Sequence, residues 1–368
     1  MSEGRYLPLL CLVGVAVPAV EAAGRRQRTQ LVDPLDEGVD PTPLAEVLAD
    51  PEVEVIVHAG RQDVALLRRT WRTEVHSLFD TQIAAGFAGF GAQTSYGGLL
   101  SDVLGLRLPK SASFTRWDVR PLTAEQVGYA RDDVVHLLSL TELLKRRLNA
   151  SGRLEWAREE CRRLESASDE RDPERMWQRL PKIGQLSPAA RAVARELAAW
   201  RERIAAGADR PVGSVLPDAS LVEVAKRRPT TVPALERIRG IQPSTLRRRA
   251  AAILAAVERG LVAEPLAFEN GERLDSSPVD SPLIALAEAL VRARALEAGL
   301  AYELVAARND LAQIVSSVRR GRPEPQVRTL QGWRRHLVGA ELLDLLAGER
   351  ILSVGPGGRL TIASSGHG

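Results

Sequence analysis

From residue 9 to about residue 140, short β-branched apolar runs alternate with stretches of helical spacing. Leu9–Val17 is β-branched and apolar, and Val53–Val57 is a β-branched run, the mark of a strand covered on both faces. A turn is predicted at Gly24–Arg28, followed by a short strand at Thr29–Val32 that ends in Asp33-Pro34. Thr42–Ala49 has helical spacing, with Leu44, Val47 and Leu48 on one face. Gln62–Arg69 reads as a helix, Leu78–Asp80 as a short strand, and Asp80 as a cap for a helix over Thr81–Gly89. A helix at Tyr96–Leu104 and a loop at Leu108–Pro121 follow. Thr123 then opens a helix, with Gln126 three residues on completing a capping box, and this helix is predicted to reach about Leu148. Such alternation argues for an α/β domain around a central sheet.

Beyond Ser151 the pattern turns helical. Segments 153–167 and 172–180 read as connecting helices, and Ser187–Ala206 as a long one with Val193, Leu197, Trp200 and Ile204 on one stripe. Leu221–Arg227, Val232–Ile238 and Pro243–Arg259 give three more helical segments. A polar linker leads to a second helical group from Pro282 to Leu346, broken at Gly299 and Gly321–Pro325. The tail from Gly355 is expected to fray. The resulting division is an α/β domain over 1–150, a helical connector over 151–186, a helical module over 187–261, a linker over 262–280, a second helical module over 281–352 and a flexible tail over 353–368. Two all-helical modules of similar size suggest a weak internal duplication.

Charge sharpens this division. The net charge of +3 hides 13 Lys/Arg against 18 Asp/Glu in residues 1–140, and 18 against 9 in residues 171–260. An acidic first part and a basic middle fit a protein whose middle touches phosphates while its first part gathers divalent cations; a solvated, arginine-rich surface is the bland alternative. Two cysteines, Cys11 and Cys161, suggest neither a disulfide framework nor a zinc site and favour a reducing, cytoplasmic compartment. The apolar run at 6–20 superficially resembles a signal peptide. Its leading segment has a single Arg5 offset by Glu3, Pro8 and Pro18 interrupt it, and it is too short to span a bilayer, so it is read as a buried strand and no membrane association is expected.

The candidate chemistry rests on few residues. Metal-assisted phosphodiester cleavage needs several carboxylates converging on divalent cations. Asp63, just past a buried strand, and Asp133, on a helix, are candidates. Tyr129, at i−4 from Asp133, shares its helical face, where its hydroxyl could orient an attacking water. Each has a plainer reading, because an acid at a helix start is usually a cap and Tyr one turn before Asp is a common surface pair. Asp132 is the rival of Asp133, but its offset of about 100° around the helix points it to solvent.

Leu31–Leu35, His58–Asp63, Phe79–Gln82, Pro121-Leu122-Thr123 and Tyr129–Val134 together resemble, in order and spacing, the ribonuclease D family of metal-dependent 3′–5′ exonucleases with a tyrosine in the third motif. The resemblance implies an α/β ribonuclease-H-like exonuclease domain, two divalent ions (Mg²⁺ or Mn²⁺), and stepwise release of 5′-mononucleotides from RNA 3′ ends, tRNA-like ends among them. It implies metal ligation by Asp63 and Asp133, a water-orienting role for Tyr129 and a supporting role for Asp80. His58, Gln62, Lys110 and Arg116 are the implied substrate contacts in the first domain; Phe114 stands where the family frequently has a basic residue.

The stretches Leu197–Glu202, Pro211…Leu221 and Leu235…Ile241 resemble an HRDC domain, an all-α module, in which Trp200 is core and Arg227, Arg228, Arg247, Arg248 and Arg249 are candidate phosphate contacts. Gly332–Arg335 resembles the end of a second such helical module. The family's first motif, Asp-x-Glu on strand one, should precede Tyr6-Leu7-Pro8, where Glu3 is the only acid. The expectation is therefore a domain truncated before its first strand. The alternative function is a catalytically inactive nucleic-acid-binding homologue. RNA is the expected partner, and no protein partner is predicted.

Overall fold

Gly24–Arg28 is not a turn. In the computed structural model, which describes residues 4–21, 24–108, 116–267 and 279–365, β1 (Val13–Glu21) and β2 (Gly24–Val32) form an antiparallel hairpin in register from Val13↔Val32 to Glu21↔Gly24. The polar, arginine-rich start of β2 becomes strand because β1 supplies its hydrogen bonds, a long-range effect that local composition does not carry. The strand expected over Leu9–Val17 is shifted by four residues toward the C-terminus. Leu10 and Cys11 are buried, but β1 starts only at Val13.

Helix α1 (Thr42–Ala49) leads to β3 (Val55–Val57), which pairs in parallel with β4 (Leu78–Asp80) through Val55↔Leu78, Ile56↔Phe79 and Val57↔Asp80. Between them lies α2 (Arg61–Trp71), making a βαβ unit. β4 is buried throughout, whereas Val55, Ile56 and Val57 are half-buried. The expected burial of β3 on both faces is thus not met. Among the described residues β3 is paired on one side only, and β1–β2 and β3–β4 are separate two-stranded sheets. Next come α3 (Thr81–Phe87), α4 (Tyr96–Leu99, extended by a π-turn to Leu104), α5 (Ala124–Val135), α6 (Leu137–Ala150) and α7 (Leu154–Glu165). The helix predicted from Thr123 to Leu148 is two helices, interrupted at His136. Its start is as predicted: Thr123 and Gln126 form a reciprocal capping box.

The chain divides into two compact units. The larger contains Val13–Ala112, Leu122–Ala167 and Glu272–Gly368. Its core joins Phe79, Phe87, Leu99, Leu140 and Leu144 with Leu290, Ile314 and Trp333, so the helices after residue 279 share a core with the α/β elements and do not make a separate module. These helices are α13 (Asp280–Glu297), α14 (Tyr302–Val305), α15 (Arg308–Arg319), α16 (Gly332–Arg334) and α17 (Ala340–Leu346). Trp333 packs edge-on against Phe87 at 4.9 Å and stacks on Trp156 at 5.2 Å. Beside it the fully buried Arg334 pairs with Glu160 of α7 at 2.5 Å. The expected frayed tail is a hairpin instead: β5 (Arg350–Val354) pairs with β6 (Leu360–Ser364), and Leu352 and Ile362 lean on the core.

The smaller unit comprises Met1–Leu12, Ser113–Pro121 and Ser168–Gly271. It is built on α8 (Pro188–Gly207), α9 (Val212–Val215), α10 (Asp218–Arg227), α11 (Val232–Glu236) and α12 (Pro243–Val262). Ser187 caps α8, and Val193, Leu197 and Trp200 are core, as the stripe predicts. Ile204, on the same stripe, is exposed. Glu202 is buried and accepts two hydrogen bonds from Arg171 and one from Tyr6, each at 2.8 Å. The order long helix, single turn, medium helix occurs in α8–α10 and again in α13–α15.

Candidate active site

The turn from β3 into α2 passes through Ala59 at φ +54° and Gly60, where a Cβ would overlap the Val57 side chain. Two consecutive residues at the neighbouring strand end hold this turn. The Asp80 carboxylate accepts the N–H of Ala59 at 3.1 Å and of Gly60 at 2.9 Å, and also caps α3 by accepting from Gln82 at 2.8 Å and Ile83 at 3.4 Å. Thr81 Oγ1 donates to the Val57 carbonyl at 3.0 Å and lies 3.0 Å from His58 Nδ1. Behind them the buried Cys161 thiol sulfur accepts the Asp80 N–H at 3.2 Å, and burial pushes that thiol up to about 12. Asp80 is therefore a clamp whose carboxylate is saturated by backbone donors. Its cap role is local and readable from sequence, whereas its hold on the neighbouring turn is not.

Asp63 stands in the first turn of α2, launched by that clamped turn. Solvent reaches it, but it sits ringed by protein; burial and then the Asp80 charge push its carboxyl above the usual carboxylate range. On α5, the Tyr129 hydroxyl donates to the Asp133 carboxylate one turn away. Burial, opposed by that hydrogen bond and assisted by the charges of Asp132 and Asp63, raises Asp133 to about 6. Thus the structure brings Asp63, Asp133 and Tyr129 into one electrostatic cluster. β1 holds α5 close: a Cβ on Gly14 would stand 3.1 Å from the Ala130 carbonyl.

Tyr129, Asp132 and Asp133 line a cleft of about 280 Å³ with Ser95, Tyr96, Gly97 and Leu108. Asp132, expected to face solvent, is half-buried on the cleft wall: a concave surface collects residues over a wider arc of the helix than a single packed stripe does. Tyr96 and Thr81 escape sequence reasoning; their only local signal is a position directly after a helix cap or within a first turn. His58 packs its ring 5.4 Å from that of Tyr96, and burial lowers its pKa.

The other predicted contacts are dispersed. Gln62 is exposed on α2, and Lys110 lies outside the described residues. Arg116, in the smaller unit, is ion-paired with Asp118 at 3.1 Å. Arg227 is ion-paired with Glu223 and Arg228 ends α10 at φ +51°, while Arg247 and Arg248 are exposed on α12. Arg249 donates to the Val215 carbonyl at 3.3 Å and so helps hold the fold.

Residues 16–149 match the family model for a 3′–5′ exonuclease, and residues 190–257 that for an HRDC domain. Ribonuclease D of Gluconacetobacter diazotrophicus is 36% identical over 96% of this chain and 87% of its own length. The chain belongs to the ribonuclease D family. Ribonuclease D of Granulibacter bethesdensis is similar at 34% identity, over 96% of this chain and 87% of its own length. The crystal structure of Escherichia coli RNase D, an exoribonuclease involved in structured RNA processing, matches with a TM-score of 0.76 and 28% identity over 92% of both chains. As a ribonuclease D the chain is a 3′–5′ exoribonuclease with a ribonuclease-H-like exonuclease domain followed by a helical HRDC region.

The exonuclease fold of ribonuclease D is metal-dependent. Asp63 and Asp133 supply hard, deprotonatable oxygens of the right chemistry, and their proton affinity is raised as expected for carboxylates gathered without a counter-charge. Among the described residues no third His, Cys, Asp or Glu joins them in a metal-holding group, because Asp80 is spent on backbone donors. Asp63 and Asp133 are carboxylates that could hold one divalent ion; among the described residues no further ligand completes the set that a pair of ions requires.

Proposed function

We propose that this chain removes 5′-mononucleotides one at a time from RNA 3′ ends, with tRNA-like and other structured RNAs as substrates, in the cytoplasm. The observation that carries the reading is the Tyr129–Asp133 pair on one face of α5, within electrostatic reach of Asp63 and opening into a cleft. Tyr129 commits its only proton to Asp133, so its oxygen lone pairs remain to accept from a water and orient it for attack. Site roles for Asp63 and Asp133 as ligands of Mg²⁺ or Mn²⁺ belong to the same proposal; when bound, such an ion supplies charge stabilisation of the phosphoryl oxygens. Gln62 and Lys110 are proposed substrate contacts, and the exposed Arg228, Arg247 and Arg248, with Arg227, give the HRDC domain a basic surface for nucleic acid phosphates. No helix among the described residues is long and apolar enough to cross a membrane.

The test is a 5′-labelled RNA incubated with the full chain and Mn²⁺, with products resolved by length. A ladder shortened from the 3′ end is expected, and Asp63→Asn, Asp133→Asn and Tyr129→Phe are each expected to slow it by about 10²-fold or more. RNA binding without cleavage would indicate the inactive homologue, and activity that persists in Asp133→Asn would overturn the assignment of the site.

A further inference from the structure

His58 has a defined tautomer. Thr81 carries one hydroxyl proton and gives it to the Val57 carbonyl at 3.0 Å, so its oxygen can only accept from His58 Nδ1, 3.0 Å away. Hydrogen-bond logic therefore puts the imidazole proton on Nδ1 and leaves Nε2 with a lone pair. Burial of the ring keeps it neutral near pH 7. Nε2 has no hydrogen-bond partner among the described residues, and the atom is open to solvent. The ring lies against Tyr96, a wall of the cleft that also holds Tyr129 and Asp133, and His58 directly follows β3, at the start of the turn that launches Asp63.

A fixed acceptor at that place selects its ligand by chemistry. It cannot bond a phosphate oxygen or a ring oxygen, which are acceptors themselves. On RNA the donors are ribose hydroxyls and base amino groups, and of these the ribose 2′-OH is present on every nucleotide and absent from DNA. We propose that His58 Nε2 accepts the 2′-OH of the nucleotide held in the cleft, making His58 the residue that favours RNA over DNA. Thr81 is its positioning residue, because it selects the tautomer. The inference rests on the exoribonuclease reading above and adds a specificity determinant to it.

The test uses the full chain with two trinucleotides, one all-ribose and one with a single 2′-deoxyribose at the 3′ end, with binding measured in EDTA and cleavage measured with Mn²⁺. The unsubstituted protein is expected to prefer the ribose form by up to about tenfold, the contribution of one neutral hydrogen bond. His58→Asn keeps a donor toward Thr81 but loses the distant acceptor, and should abolish the preference in both measurements. His58→Gln, whose side-chain oxygen reaches further, should restore part of it. Thr81→Val should weaken the preference with His58 intact, and the ¹⁵N signals of the imidazole should report loss of the Nδ1–H tautomer. An unchanged ribose preference in a folded His58→Asn protein overturns the proposal. Displacement of the His58 Nε2 signal by Mn²⁺ without RNA would make it a metal ligand and overturn it as well. Failure of the unsubstituted protein to bind or cleave either trinucleotide sinks the ribonuclease reading itself and this proposal with it, a different result from binding without discrimination.

Discussion

The Asp80 carboxylate accepts the backbone N–H of Gly60 at 2.9 Å, tying the end of β4 to the turn that launches α2. Together with the bonds to Ala59, Gln82 and Ile83, this makes one buried acid the common anchor of two helix starts. Asp80→Ala strands these donors and should cost about 3 kcal/mol, in line with hydrogen bonds to a charged group plus a lost helix cap. Asp80→Asn keeps one acceptor oxygen and should cost less. Urea denaturation of the two variants measures the difference; an unchanged midpoint in Asp80→Ala would refute the anchor.

Gly14 lets β1 approach α5 closely. A Cβ there lies 3.1 Å from both the Ala130 carbonyl and a Val134 methyl. Gly14→Val should therefore push away the helix that carries Tyr129 and Asp133, destabilising the protein by about 1–3 kcal/mol, the usual range for overpacking. RNA cleavage should fall more than stability alone explains, and Gly14→Ala should be milder in both. Thermal melts and steady-state rates on the same preparations check this.

Glu160 and Arg334 give a pH signature remote from the cleft. Burial alone would raise Glu160, but hydrogen bonds and charge from Arg334 outweigh it and hold the carboxyl below its ordinary value of 4.5. The unfolded chain then binds the proton more readily, so the pair stabilises the fold above pH 4.5 and that contribution is lost as pH falls through the depressed folded value. Denaturation midpoints should decline below pH 4.5 in the unsubstituted protein and decline less steeply in Glu160→Gln. Glu160→Ala leaves the buried Arg334 uncompensated and should cost about 3–5 kcal/mol at neutral pH.

Arg227, Arg228, Arg247 and Arg248 should act through phosphate charge alone. Replacing all four by alanine should weaken RNA binding evenly across sequences. The slope of log affinity against log salt should shrink by about 0.7 for each phosphate no longer neutralised on a single strand. Fluorescence anisotropy at several salt concentrations reads both effects; an unaltered slope would remove these arginines from the interface.

Much of this protein is local and is therefore legible in the chain. The Thr123–Gln126 capping box, the Asp80 cap, the α8 stripe through Val193, Leu197 and Trp200, and the i, i+4 spacing of Tyr129 and Asp133 each depend on residues within a turn or two of one another, where side-chain type dictates geometry. What the chain alone determined is thus the family, the stations of Asp63, Tyr129 and Asp133, and most of the helices.

Tertiary structure decided the rest, because it depends on partners distant in sequence. Strand pairing turned Gly24–Arg28 from an expected turn into β2 and the tail into a hairpin. Burial around Trp333 drew the last helices into the core of the exonuclease elements. Thr81 bridges the His58 ring and the Val57 carbonyl, a contact among residues distant in sequence that the fold alone brings together.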